Sequence, residues 1–308
     1  MHHARTILVS SLAMVSACAT VTLAQHGGDG HPRMPPPPVA VEVPAAGTTL
    51  PMQDVGGRPV VDVRVNGKGP YRFVLDTGAT ITVIDATLKD ELKLPPVPGM
   101  RPSSPGHGMP AEIVSVDAMG IGSTTLRGVT AALMPLGQLF TGDQRPRGVL
   151  SASAFPGHLV TFDYPSRRIV VKKGALEAAD SAVIHEYPED DPLPTVPIRI
   201  AGHDTRVHLD TGSGAGLMLP THFLQELPLA SKPAPGGTAK VHNGETPITK
   251  ARVDGAITLG RYTLDLPDVS FADIHAIPGA PRGNIGYGVL KDFVVTLDSR
   301  NRRVRMVK

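Results

Sequence analysis

Apolar and polar residues alternate along this chain in short runs, and Gly, Pro, Asn and Asp cut those runs at close intervals. Val63-Arg64-Val65 and Ile198-Arg199-Ile200 carry the two-residue period of a half-buried strand. Each ends in a turn, Asn66-Gly67 and Ala201-Gly202. A second strand follows each turn, Tyr71-Arg72-Phe73-Val74-Leu75 and Arg206-Val207-His208-Leu209, so each half of the chain opens with a hairpin. Further on, Leu159-Val160-Thr161-Phe162-Asp163 with Arg167-Arg168-Ile169-Val170-Val171, and Val294-Val295-Thr296-Leu297-Asp298 with Arg302-Arg303-Val304-Arg305-Met306, predict a closing hairpin for each half. The expectation is a mostly β protein.

These elements recur in one order, which makes the pattern a duplication. Gly148 to Phe155 and Gly283 to Leu290 each read as a glycine turn and a short helix ahead of the closing hairpin, and they are offset by 135 positions. Asp76 and Asp210, at the ends of the second strands, are offset by 134, so one turn differs by a residue. Mid-way, Val116-Asp117 through Ile121-Gly122 parallels Val253-Asp254 through Leu259-Gly260. Two repeats are too few for a solenoid and predict two similar β lobes, residues 50–174 and 195–308. Residues 175–194, acidic at Glu186, Glu189, Asp190 and Asp191 and rich in Pro, read as the linker. A terminal strand is fixed only when it pairs, so the lobes are expected to share a sheet across their interface.

A length of 308 residues suits two core-forming units. A formal net charge of +2 gives no ground for a nucleic-acid or membrane-surface partner, and Arg300, Arg302, Arg303 and Arg305 read as a solvated strand face. The N-terminus has a different character. Arg5 precedes an apolar run from Ile7 to Val15 that is too short to span a bilayer, and small residues follow. Residues 1–24 therefore read as a signal peptide cleaved after Ala24. Alternatively, Val15-Ser16-Ala17-Cys18 resembles a bacterial lipobox that would lipidate Cys18. Either reading predicts export to the periplasm or cell envelope, with membrane contact only through that lipid. Residues 25–49, Gly-rich and then Pro-rich, read as a tether in which His26 and His31 are solvated. Cys18 is the only cysteine, so no internal disulfide and no thiolate metal site can form.

Candidate chemistry sits at the equivalent ends of the second strands. Leu75-Asp76-Thr77-Gly78-Ala79-Thr80 and Leu209-Asp210-Thr211-Gly212-Ser213-Gly214 each lie between two apolar runs. One Asp-Thr-Gly is an ordinary turn. Two at the repeat spacing, each flanked by buried strands, place two carboxylates where they must be hydrogen-bonded or shifted in pKa. On these motifs, from about residue 50 to 308, the chain resembles the retropepsin and pepsin-like aspartic peptidases, particularly bacterial members with two retropepsin-like lobes in one polypeptide.

The resemblance implies two β-barrel lobes of the acid-protease fold and a catalytic pair, Asp76 and Asp210, beneath flaps. Thr77 and Thr211 would hydrogen-bond across the lobe interface, and Gly78 and Gly212 would let backbone N–H groups approach the carboxylates. The implied activity is endopeptidase cleavage of a polypeptide by activated water, with one chain forming one site and no metal or cofactor. Flap candidates are two loops, around Gly106, His107 and Gly108 and around Gly236 and Gly237. The late apolar-apolar-Gly signature departs from the family in both lobes, with Ser151 in place of Gly and Asn284 in place of an apolar residue.

Other chemistries fit less well. There is no His-Glu-x-x-His helix, and His203 and His208 bracket a predicted strand. Gly212 to Gly216 lacks the Lys-Ser/Thr ending of a phosphate loop, and no Gly-x-Ser-x-Gly elbow occurs. The alternative from another class is a non-catalytic envelope protein that binds peptides or supports assembly on the same fold. Retention of both Asp-Thr-Gly motifs favours the enzyme.

Overall fold

Six strands of the first lobe close into a barrel in the computed structural model, which describes residues 14–15, 23–25, 35–102, 112–177, 182–241, 244–266, 268–273 and 282–308. Their order is Glu112–Ile121, Thr124–Met134, Thr82–Asp85, Gly148–Ser151, Lys68–Asp76 and Pro59–Val65, and pairing of Met119 with Val65 and Gly120 with Arg64 closes the ring. Along Pro59–Val65, Val61, Val63 and Val65 point into the core while Asp62 and Arg64 face water. The tight turn to the next strand uses Asn66 and Gly67 at φ 49° and 79°, the left-handed pair that a two-residue hairpin needs.

The second lobe repeats the path with Thr195–Ile200, His203–Leu209, Gly283–Ile285, Leu217–Leu219, Val269–Phe271 and the hairpin Ala234–Val241/Gly244–Ala251. It differs where the first lobe has its two longest strands. There the second lobe has separate pieces, with Ile257–Leu259 and Tyr262–Leu264 forming a small hairpin on Thr195–Ile200. The sequence between Tyr262–Leu264 and Val269–Phe271 holds Pro267, which has no N–H to donate to a ladder.

A third sheet joins the lobes. Its order is Ile184–Glu186, Arg303–Val307, Val294–Asp298, His158–Asp163, Arg168–Lys173 and Thr48–Pro51, so the closing hairpins predicted from each half lie side by side. Thr161 pairs with Thr296, their hydroxyls 3.0 Å apart, and these residues are themselves one repeat offset apart. The pseudo-twofold relation between the lobes passes here. Phe73, Phe155 and Phe162 from the first lobe and Phe271 and Phe293 from the second are fully buried in one continuous apolar cluster. Burial of each such ring stabilises the fold by about 2–3 kcal/mol.

Ordered strands reach into segments read as connections. Ala40–Glu42, within the expected tether, pairs with Thr124–Met134, supported by an Arg127–Glu42 ion pair at 2.7 Å. Thr48–Pro51 straddles the expected start of the first lobe, and Ile184–Glu186, within the expected linker, pairs with Arg303–Val307. In each case the segment pairs with a strand from a distant part of the chain. Two described pieces of the expected signal segment are also strands: Met14–Val15 runs parallel to Ala239–Lys240, and Leu23–Gln25 runs antiparallel to Met100–Pro102. Cys18 lies outside the described residues. Among the described residues no helix is long and apolar enough to cross a membrane.

Candidate active site

Asp76 is the last residue of Lys68–Asp76, which is held in parallel register to Gly148–Ser151. Asp210 follows His203–Leu209, and its N–H donates to the Ile285 carbonyl at 3.0 Å. Both carboxylates are removed from water, at 0% and 2% exposure, and they come together at the lobe interface. Gly78 N–H donates to Asp76 Oδ1 at 2.7 Å, and Gly212 N–H, from the other lobe, donates to the same oxygen at 3.1 Å. A Cβ on Gly78 would stand 2.9 Å from Asp210 Oδ1, and one on Gly212 would overlap the Asp76 carboxylate. Only glycine lets these loops approach so closely.

The threonines cross between lobes in a closed set of four bonds. Thr77 N–H donates to Thr211 Oγ1 and Thr211 N–H to Thr77 Oγ1, each at 3.0 Å. Thr211 Oγ1 donates to the Leu75 carbonyl at 2.8 Å, and Thr77 Oγ1 to the Leu209 carbonyl. Each hydroxyl both donates and accepts, so four buried backbone groups are satisfied without water.

Both departures from the family signature have a visible consequence. Ser151 Oγ donates to the Ala79 carbonyl at 2.7 Å, bracing the loop behind Asp76. At the matching place in the second lobe, a Cβ on Gly286 would come 2.8 Å from the Ala215 carbonyl oxygen, and the Tyr287 N–H bonds the Ser213 carbonyl at 2.9 Å instead. A side-chain donor in one lobe and a backbone donor in the other do the same bracing. Asn284 Nδ2 donates to Asp210 Oδ2 at 3.0 Å.

Burial pushes the Asp76 carboxyl well above the usual carboxylate range, and the neighbouring Asp210 charge adds to the push. The Gly78 and Gly212 N–H groups and the Arg58 charge oppose it without prevailing. Arg58 was not singled out by its sequence, although an Arg directly before the apolar run Pro59-Val60-Val61 is the sort of signal that could mark it. Its Nε donates to the Gly212 carbonyl of the other lobe at 2.9 Å and its Nη1 to the Gly56 carbonyl at 3.1 Å. The guanidinium lies 5.8 Å from the Phe140 ring centre. Burial lowers the Arg58 pKa, with Asp210 and then Asp76 acting in the other direction.

Gly236 and Gly237 do not form a loop. They sit within Ala234–Val241, where the pairing to Gly244–Ala251 shifts register between Pro235 and Thr238. Two-residue bulges of this kind take up glycine readily because the extra residue has no ladder partner. Ala239 and Ile248 of this hairpin pack on Ala215, Met218 and Ala272 close to the Asp210 loop, so the hairpin covers that side of the site. Gly106, His107 and Gly108 lie outside the described residues. His203 and His208 both fall in His203–Leu209; His203 is exposed, and burial takes the His208 imidazole down to about 4, with Asp191 opposing and Arg282 adding to the shift.

Two β lobes that each bring an Asp-Thr-Gly loop to one interface, with the threonines interlocked, define a bilobal protein of the acid-protease fold. The aspartyl protease family model matches the chain twice, at residues 61–154 and 196–290, which together exceed half its length. The chain belongs to the aspartyl protease family and carries the family domain in duplicate. No curated protein matches it.

Proposed function

We propose that this protein is an aspartic endopeptidase in which Asp76 and Asp210 form the catalytic pair. The observation that carries the reading is their convergence from two lobes onto one water-poor point, where the Asp76 proton is retained beyond the ordinary carboxylate range. Sharing of one proton between paired carboxyls is the general behaviour of aspartic proteases. The ionised member removes a proton from a bound water, which attacks the scissile carbonyl carbon. The protonated member donates to the carbonyl oxygen, and a proton then passes to the leaving amine.

A polypeptide substrate fits the edges around the site. The hairpin Ala234–Val241/Gly244–Ala251 and the strand Met100–Pro102 each accept a strand from the chain's own N-terminal residues, so both edges are competent to add an extended peptide. The basic start and short apolar run of the N-terminus support an envelope location for this activity.

Cleavage of a peptide library across a pH series tests the proposal. The rate should rise as the pair loses its first proton and fall as it loses the second, giving a bell. Because Asp76 holds its proton unusually firmly, the falling limb should lie above the ordinary carboxylate range. A rate that climbs steadily with pH, or no cleavage at any pH, rejects the reading. Both motifs lie in one chain, so mixing Asp76→Asn chains with Asp210→Asn chains should restore no activity; substantial recovery would show that sites form between chains.

A further inference from the structure

The strands that carry the two Asp-Thr-Gly loops pair in the same order in both lobes, but they differ along one row of side chains. In the first lobe Val60, Val74, Val149, Val83 and Ala132 are partners in turn across five strands, and all are buried. The same register in the second lobe reads Thr195, His208, Asn284, Met218 and Ser270, also all buried. A row that one lobe fills with valine is mostly polar in the other. The polarity has a cost that packing does not explain: Asn284 is 9% exposed and its Oδ1 has no hydrogen-bond partner, and His208 Nδ1, in the adjacent strand, also has none. What this arrangement does achieve is the bond from Asn284 Nδ2 to Asp210 Oδ2 at 3.0 Å. Val149, at the same register position beside Asp76, can make no such bond.

We infer that Asn284 is a positioning residue that breaks the symmetry of the pair, holding Asp210 as the ionised carboxylate and leaving the shared proton on Asp76. The inference rests on the peptidase reading of this site. An amide N–H bonds a charged carboxylate oxygen more strongly than an oxygen of a neutral carboxyl, so it favours the ionised form. Asp210 then breaks an O–H bond of the bound water and takes the proton. The electron pair left on that water oxygen forms the bond to the scissile carbon, and the carbonyl oxygen takes the proton of Asp76.

Asp76 also accepts N–H bonds, from Gly78 and Gly212, but burial and the neighbouring Asp210 charge outweigh them and keep its pKa high. Arg58 interacts with both carboxylates, with Asp210 ahead of Asp76, which works in the same direction as Asn284; Tyr164 also faces both and is neutral because burial, followed by the charges of Asp210 and Asp76, raises its pKa well above the usual value. His208, two residues earlier on the same strand, is uncharged above about 4 because it is buried. Arg282, which precedes the Asn284 strand, is paired with Asp191 at 2.9 Å. The covering hairpin presents apolar Ala239 and Ile248.

The test is the pH profile of kcat/KM for the full chain and for Asn284→Val, which gives the second lobe the residue of the first. Removing a donor to a carboxylate should move the acid-side limb up by about one pH unit, which is about a tenfold loss at a fixed pH on that limb, with the maximal rate far less affected. Asn284→Ser, smaller and unable to reach as the amide does, should shift the limb in the same direction if the valine variant folds poorly. A limb that stays in place, or moves down, in a folded variant overturns the role of Asn284 while leaving the peptidase reading intact. An inactive wild-type chain overturns the reading itself.

Discussion

Asp76→Asn and Asp210→Asn should each lower peptide cleavage by on the order of 10³-fold or more, the scale of a lost general acid or base that works with a partner. Asn has the shape of Asp but can neither accept the water proton nor supply one. Because the two carboxyls act as a unit, the double variant should lose about as much as either single one. The fold should be retained, and the sign of the Asp76 shift says why. A carboxyl whose pKa is raised on folding binds more protons in the native state than in the unfolded chain, so its contribution is most favourable below the unfolded pKa and is lost as pH rises through the folded value. At neutral pH the pair therefore strains the fold, and Asp76→Asn should melt at the same temperature as wild type or higher. Folded variants that cleave at the wild-type rate would remove Asp76 and Asp210 from the chemistry.

Thr77→Val and Thr211→Val should give the largest loss of stability among near-isosteric changes at the site. Either substitution keeps the side-chain shape but removes one hydroxyl from the closed set of four bonds. Thr77→Val leaves the Thr211 N–H and the Leu209 carbonyl buried without that partner. Each orphaned group costs about 1–3 kcal/mol, so roughly 3 kcal/mol or more is expected for one substitution. In a chain of this size that corresponds to a melting temperature lower by roughly 6–12 °C. The double variant should lose less than twice as much, since the two residues share the same network. Thermal unfolding followed by circular dichroism checks both statements. A melting curve unchanged by Thr77→Val would mean that the lobes are held by the shared sheet and the apolar cluster alone.

Arg58 shows a limit of reading a chain element by element. Its side chain serves the opposite lobe, donating to Gly212 from 154 positions away, and no local period or motif encodes such a reach. Ser151 and Asn284 were visible as departures from a family signature, but their meaning was not. A polar residue in an apolar slot reads as a defect until its partner is known, and the partners here, the Ala79 carbonyl and the Asp210 carboxylate, are brought close only by the folded sheet. The local structure of Gly236 and Gly237, read as a loop, was misjudged in the opposite direction. Two adjacent glycines signal a break in structure, yet here a bulge absorbs them within a continuous hairpin.

By itself the sequence determined the strands, their duplication and the two Asp-Thr-Gly turns, because a two-residue period of apolar side chains and the backbone demands of Asn-Gly and Gly turns are local physics. It also led to the expectation that the lobes share a sheet across their interface, since an unpaired terminal strand exposes a row of backbone donors and acceptors; that the closing hairpins form it was decided by the fold. Tertiary structure alone decided where the lobes begin. Ala40–Glu42 and Ile184–Glu186 are strands because sheet edges from distant parts of the chain accept them. It alone decided the unequal surroundings of two carboxylates with the same local sequence. Asp76 and Asp210 differ through Val149 and Asn284, side chains far along the chain whose effect depends on register across a sheet, and register across a sheet is long-range.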